Sequence, residues 1–220
     1  MMKTYFQKLI PRAGRGPGLV TLLAAVLTLT GCLSRPSLNQ QTFSFSSPTL
    51  TATNFVAGQP VLGIKKLEVA SPFEDRPFVY RTGGFNFVRD PYAGFLDRPE
   101  EELLTALRAD LASQGDFSAV VGTGSALKPD NLVEISVGQL YGDFRQTDHA
   151  QAVLTVRFTF FDATNGVATK PIFQKEYSRS IVLGAASGAD LMKGWDQALT
   201  EILGEVLSDF RQARSGEAAH

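Results

Sequence analysis

The apolar residues of the chain recur with two periods, and the switches between them outline its elements. A two-residue alternation or a β-prone run, which turns one face of a strand toward a core, marks 42–46, 61–70, 132–141 and 150–161. In the last of these Ala152, Leu154, Val156, Phe158 and Phe160 oppose Gln151, Thr155, Arg157 and Thr159. Residues 78–81 and 85–88 flank Gly83-Gly84 as a hairpin, and Asn165-Gly166 reads as a turn into a strand over 172–182. Residues 117–121 read as a short buried strand. The helical period appears twice. Asp97 can cap the first helix with Glu100 three residues on, Pro99 in its first turn, and Glu100, Glu101 and Glu102 at the positive end of the dipole. Leu103, Leu104, Ala106, Leu107 and Leu111 form its apolar face and Gly115 is its stop. The second helix covers 188–213, with Leu191, Trp195, Leu199, Ile202, Leu203, Val206 and Phe210 on one stripe. No repeat is visible. The expectation is a single α+β domain over 61–213, two helices packed on one face of a mostly antiparallel sheet, followed by a disordered tail at 214–220.

Composition narrows what such a domain is for. Of 220 residues 44 % are hydrophobic, 21 are basic and 22 acidic, which describes a globular chain with no cationic excess for a nucleic-acid backbone. One cysteine excludes an intrachain disulfide and a zinc site of several thiolates, and two histidines leave little for His-based catalysis. The even charge hides an asymmetry. Lys3, Lys8, Arg12 and Arg15 precede residue 18 with no acid among them, and an apolar run then fills 19–30. That order is the layout of an export signal. Twelve residues are too few to span a bilayer, which takes about 20.

The run ends in Leu29-Thr30-Gly31-Cys32, so the lone cysteine stands where cleavage is expected. These four residues resemble the lipobox of bacterial lipoproteins. The resemblance implies removal of residues 1–31 by cleavage between Gly31 and Cys32, a diacylglycerol on the Cys32 thiol and an N-acyl chain on its new amino group. Two or more chains give stable anchoring where one gives marginal binding. The mature chain carries 17 basic and 22 acidic side chains, a net charge of −5. Leu33, not an acid, follows Cys32. By the sorting rule of such lipoproteins this implies the periplasmic face of the outer membrane. Residues 32–60 then form the lipidated N-terminus and tether, polar and Pro-, Ser- and Thr-rich apart from the strand at 42–46. With that strand in place the tether spans about eight residues and reaches at most about 28 Å.

Candidate chemistry is sparse. His149 sits in an acidic turn with no second histidine near it and reads as a loop residue. Gly122-Thr123-Gly124 with Lys128 has the wrong spacing for a phosphate loop and leads into a strand. Glu100–Glu102 are accounted for by the helix dipole. No metal, no cofactor beyond the acyl chains and no catalytic residue is nominated, so an enzyme is not expected. The unusual segment is 73–95, where Phe73, Phe78, Tyr80, Phe85, Phe87, Tyr92 and Phe95 interleave with Arg76, Arg81 and Arg89. Alternate aromatics on a hairpin can fill a core. They also suit a protein interface, for which the candidates are Tyr80, Arg81, Phe85, Phe87, Tyr92 and Phe95.

The residues around that segment resemble a known family. Asp90-Pro91-Tyr92-Ala93-Gly94-Phe95-Leu96-Asp97-Arg98-Pro99-Glu100-Glu101-Glu102-Leu103-Leu104, running into Ala106-Leu107-Arg108-Ala109-Asp110-Leu111-Ala112, is similar to the ABC-type transport auxiliary lipoproteins, the PqiC-like family. So are the lipobox, the aromatic strand ending in Pro48, Arg76-Pro77 leading to Tyr80-Arg81, and the run from Phe117 to Val121. The resemblance implies a periplasmic lipoprotein that accompanies an ABC permease and ATPase and an MCE-type substrate-binding protein, moving phospholipid or other hydrophobic molecules between inner and outer membrane. It leaves a homo-oligomer open. The competing expectation is an envelope lipoprotein that regulates a cell-wall enzyme by protein contact.

Overall fold

Eight of the alternating segments become strands of one mixed sheet in a computed structural model, which describes residues 40–46 and 58–217. The signal, Gly31, Cys32 and the linker at 47–57 lie outside the described residues. The described residues fall in one compact unit. Its order is β1 (Gln41–Phe43), β2 (Val61–Val69), a 3-10 turn (Ser71–Phe73), β3 (Pro77–Arg81), β4 (Phe87–Phe95), α1 (Pro99–Ser113), β5 (Ala119–Val121), β6 (Asn131–Asp143), a second 3-10 turn (Thr147–His149), β7 (Gln151–Thr164), β8 (Val167–Val182) and α2 (Gly188–Glu217).

Strand β6 is the spine. One side carries β7 and then β8, both antiparallel, over nearly their whole lengths. On its other side the first half pairs β2 and through it β5, while Gly142 and Asp143 pair Tyr80 and Arg81 of β3, which leads on to β4 and β1. The β1–β4, β2–β5, β2–β6 and β3–β6 pairs are parallel. The expected α+β class stands, and the long pairings of the sheet are antiparallel, but the sheet is mixed because these four shorter pairs are parallel. The cause is the stretch between β2 and β6, which holds the β3–β4 hairpin and α1 and returns the chain to its starting end before β6 begins.

Both helices cover one face. The predicted apolar positions of α2 and of β7 are all buried there, and Trp195 sits fully buried at the centre. Its ring lies edge-on to Phe78 at 5.0 Å and stacks on Phe95 at 5.4 Å, and its Nε1 donates to the Val153 carbonyl at 3.1 Å. Phe43 and Phe45 extend the cluster against Phe78 and Phe95. Much of the opposite face is polar, with Lys65 paired to Glu134, Arg157 to Glu176, and Thr155 bonded to Gln139 and Ser178. A sheet solvated on one side needs this alternation.

Three local expectations are corrected. Arg98, not Asp97, is the N-cap of α1, and no side chain caps it. The Asp97 carboxylate is taken up by the Arg98 N–H at 2.8 Å, and the closing carboxylate is that of Glu102, which accepts from the Asp97 N–H at 3.0 Å and from Ser44 Oγ. Glu102 is therefore a buried structural acid. Strand β4 also runs on to Phe95 instead of ending at 88, because β1 pairs only from Ala93 and leaves Pro91 on a free edge, where its missing N–H costs nothing. At the other terminus α2 continues through 214–217, and Arg214 donates to the buried Asn131 at 2.7 Å.

Helix α2 lies so close on β7 that a Cβ added at Gly194 would stand 2.6 Å from the Ala152 Cβ and 2.9 Å from Leu183 Cδ2. Alanine gains about 1 kcal/mol of helix propensity over glycine, whereas overpacking costs about 1–3 kcal/mol. Gly194→Ala is therefore expected to lower the thermal midpoint; a raised midpoint would show that α2 can lift off β7 freely.

Candidate functional site

The sheet has two functional ends, set by the direction of β6. Because β3 runs parallel to β6 and meets it at Asp143, the β3–β4 hairpin tip projects from the C-terminal end of β6. There the aromatic segment divides. Phe78 and Phe95 face the helices and are buried, with Phe95 between Phe45, Phe78 and Trp195. Phe95 thus leaves the expected interface set: its place on β4 faces the core. Tyr80 and Arg81 are half-buried and engaged internally. The Tyr80 hydroxyl donates to Asp90 at 2.6 Å and its ring packs 4.6 Å from Phe144, so burial and then the Asp90 bond push its pKa up. Arg81 donates to the carbonyls of Gly83 and Gly84 at 3.3 and 2.7 Å and lies 5.9 Å from the Phe87 ring, which stiffens the hairpin loop. Phe85 at the tip is 102 % exposed, Tyr92 57 % and Phe87 45 %, and Val88 beside them is 42 % exposed. Of the six expected residues, Phe85, Phe87 and Tyr92 are exposed, and Phe87 also packs edge-on against Phe73 at 6.3 Å and Tyr141 at 5.4 Å.

Beside the hairpin, Asp143, Arg145, Gln146, His149 and Gln151 line a cleft of about 330 Å³. His149 is mostly exposed, 3.7 Å from Asp148, and belongs to the surface as expected. The Arg145 guanidinium bonds Asp143 and holds its carboxyl below the usual carboxylate range. That contribution is present above the ordinary carboxylate pKa and is lost as pH falls through the depressed one. Arg145→Gln should cost under about 1 kcal/mol near neutral pH and nothing once Asp143 is protonated, as denaturant midpoints at the two pH values would show. An equal loss at both would make the pair electrostatically idle.

The opposite end holds a groove of about 490 Å³ between the β5–β6 loop and the β7–β8 turn. Ile64, Val121, Leu127, Leu132 and Val167 give it an apolar lining, with Leu127 49 % and Val167 66 % exposed, and Lys65 and Lys128 stand at it. The Gly122-Thr123-Gly124 loop is part of its wall and leads into β6. Sequence reasoning missed this groove. The glycine loop and the Asn165-Gly166 turn, at φ 55° and 80°, are each legible alone, but only the β2–β6–β7 register brings them together. Among the described residues no group of three metal-ligating side chains occurs, and no helix is long and apolar enough to cross a membrane.

The α+β domain thus carries an exposed aromatic hairpin at one end and an apolar groove at the other. Residues 42–206 match the family model of the ABC-type transport auxiliary lipoprotein component, and the chain belongs to that family. No curated protein matches it. Among solved structures it is similar to protein XCC0632 from Xanthomonas campestris, with 13 % identity, 82 % of this chain and 97 % of that one covered, and a TM-score of 0.64. A second, an uncharacterized protein, shares 16 % identity over 76 % of this chain and 99 % of its own, with a TM-score of 0.54. These likenesses are of fold.

Proposed function

We propose that the mature chain is a periplasmic lipoprotein, held in the outer membrane by acyl chains on Cys32, that docks an ABC transport system. Its partner is an MCE-type substrate-binding protein belonging with a separate permease and ATPase, and the cargo is phospholipid or another hydrophobic molecule. Its own task is positioning, not catalysis. The observation that carries this reading is the family match over a domain whose aromatic hairpin and apolar groove lie at opposite ends of β6. Thirteen residues of β6 separate them by about 40 Å at 3.3 Å per residue. One end thus serves the membrane while the other faces into the periplasm. A short tether also suits docking better than a regulator of wall enzymes, which would have to reach through peptidoglycan.

Solubilising the full-length protein from its native membranes in mild detergent should bring down the MCE-type protein. Leu127→Glu combined with Val167→Asp should reduce that recovery about tenfold, a loss near 1.4 kcal/mol, with an unchanged thermal midpoint. Recovery of a cell-wall enzyme in its place would overturn the reading.

A further inference from the structure

We propose that the β3–β4 hairpin rests on the lipid bilayer that holds the acyl chains, so that Phe85, Phe87, Val88 and Tyr92 make a second, non-covalent membrane contact. The inference rests on acylation at Cys32. It goes beyond the anchor, because it fixes the orientation of the folded domain.

Direction is the first argument. Strand β1 is parallel to β4 and begins at Gln41 beside Ala93. Traced back from Gln41, its axis therefore points along β4 toward Phe87 and the hairpin tip. Length is the second. Eight residues lie between Cys32 and Gln41, and the nine steps from one to the other reach about 32 Å when fully extended. From Ala93 to Phe87 the hairpin already covers about 20 Å in the same direction, and the 82–86 loop carries Phe85 further. The full reach of the tether exceeds that span by only about 10 Å, so the chain between Cys32 and β1 is short enough for the tip to meet the lipid surface that holds the acyl chains.

Chemistry is the third. Tyr and Phe rings beside arginine stems are the side chains that settle at the headgroup level of a bilayer. Phe85, Val88 and Tyr92 are exposed on the hairpin, while Phe87 is half-exposed with one edge packed on Phe73 and Tyr141, and among the described residues no strand pairs with β4 before Ala93 on its outer side. Charge contributes little. Arg89 is paired with Asp75 and Arg145 with Asp143, and Arg81 is turned into its own loop. The contact is therefore carried by apolar burial and should be almost independent of salt, unlike a polybasic attachment. A protein partner at the hairpin is the competing occupant. The short reach of the tether favours lipid, since it keeps the domain within about 32 Å of the bilayer before any partner arrives.

The test uses the full-length acylated protein reconstituted in phosphatidylethanolamine–phosphatidylglycerol vesicles whose acyl chains carry bromine, a contact quencher of tryptophan. Phe85→Trp places a reporter at the tip, Leu127→Trp places one at the opposite end, and the buried Trp195 supplies a background subtracted with the unsubstituted protein. The Phe85→Trp emission should fall by about half and shift to the blue, with no change between low and high salt, while Leu127→Trp is unaffected. Protein that stays on the vesicles with an unquenched Phe85→Trp, or with both reporters quenched alike, overturns the hairpin contact and leaves the anchor standing. A chain whose mass shows no acyl groups, and which leaves the vesicles, overturns both.

Discussion

Cys32→Ala is expected to abolish the lipid anchor. Acyl chains of ordinary length bury many methylenes at about 0.8 kcal/mol each, and a pair of them far exceeds what any hairpin of four exposed side chains could contribute. The variant should take up no labelled fatty acid. It should run as an uncleaved precursor or appear in the soluble periplasmic fraction, because both processing steps depend on that thiol in the lipobox pattern that Leu29 to Cys32 resembles. Loss of anchoring should abolish transport even though the domain from β1 to α2 is untouched. Unchanged fractionation and size would mean that the cysteine is incidental and that something else holds the protein at the envelope.

The second large effect is on the fold. Trp195→Ala removes a fully buried indole from between Phe78 and Phe95 and strips the Val153 carbonyl of its donor. Truncating a buried Trp typically costs about 3–5 kcal/mol, a large part of the roughly 5–15 kcal/mol that separates folded from unfolded domains. Trp195→Phe keeps a ring in the site and loses the hydrogen bond, so its cost should be clearly smaller. Urea unfolding should rank alanine far below phenylalanine, with Phe85→Ala within about 0.5 kcal/mol of the unsubstituted chain. Were Trp195→Ala as mild as Phe85→Ala, the aromatic cluster would not be the centre of the core.

The place of Trp195 in the core was legible in the sequence, because it stands on a seven-residue stripe whose helical period has no competing explanation. Strand β7 was equally plain, since five apolar residues alternate with polar ones, and Asn165-Gly166 declared its turn by the left-handed conformation those residues tolerate. What stayed hidden depends on pairing partners remote in sequence. Phe95 and Tyr92 look alike in a string of aromatics, yet the side of β4 each occupies follows from register with β1 and β3, including the slip between Pro77 and Val79. The parallel pairs were likewise unreadable, because periodicity reports that a strand exists and not which way its neighbour runs. Glu102 escaped for the same cause: its partner Ser44 lies 58 residues earlier. The proposed division of labour, with the hairpin toward the membrane and the groove away from it, rests on two ends that exist only once β6 has aligned its neighbours.

Photo-crosslinking in living cells tests that division most directly. A photoreactive residue at Leu127, in the groove, should capture the MCE-type protein, and one at Phe85 should capture lipid. Capture of a cell-wall enzyme at Leu127, or of the MCE-type protein at Phe85 alone, would contradict the account.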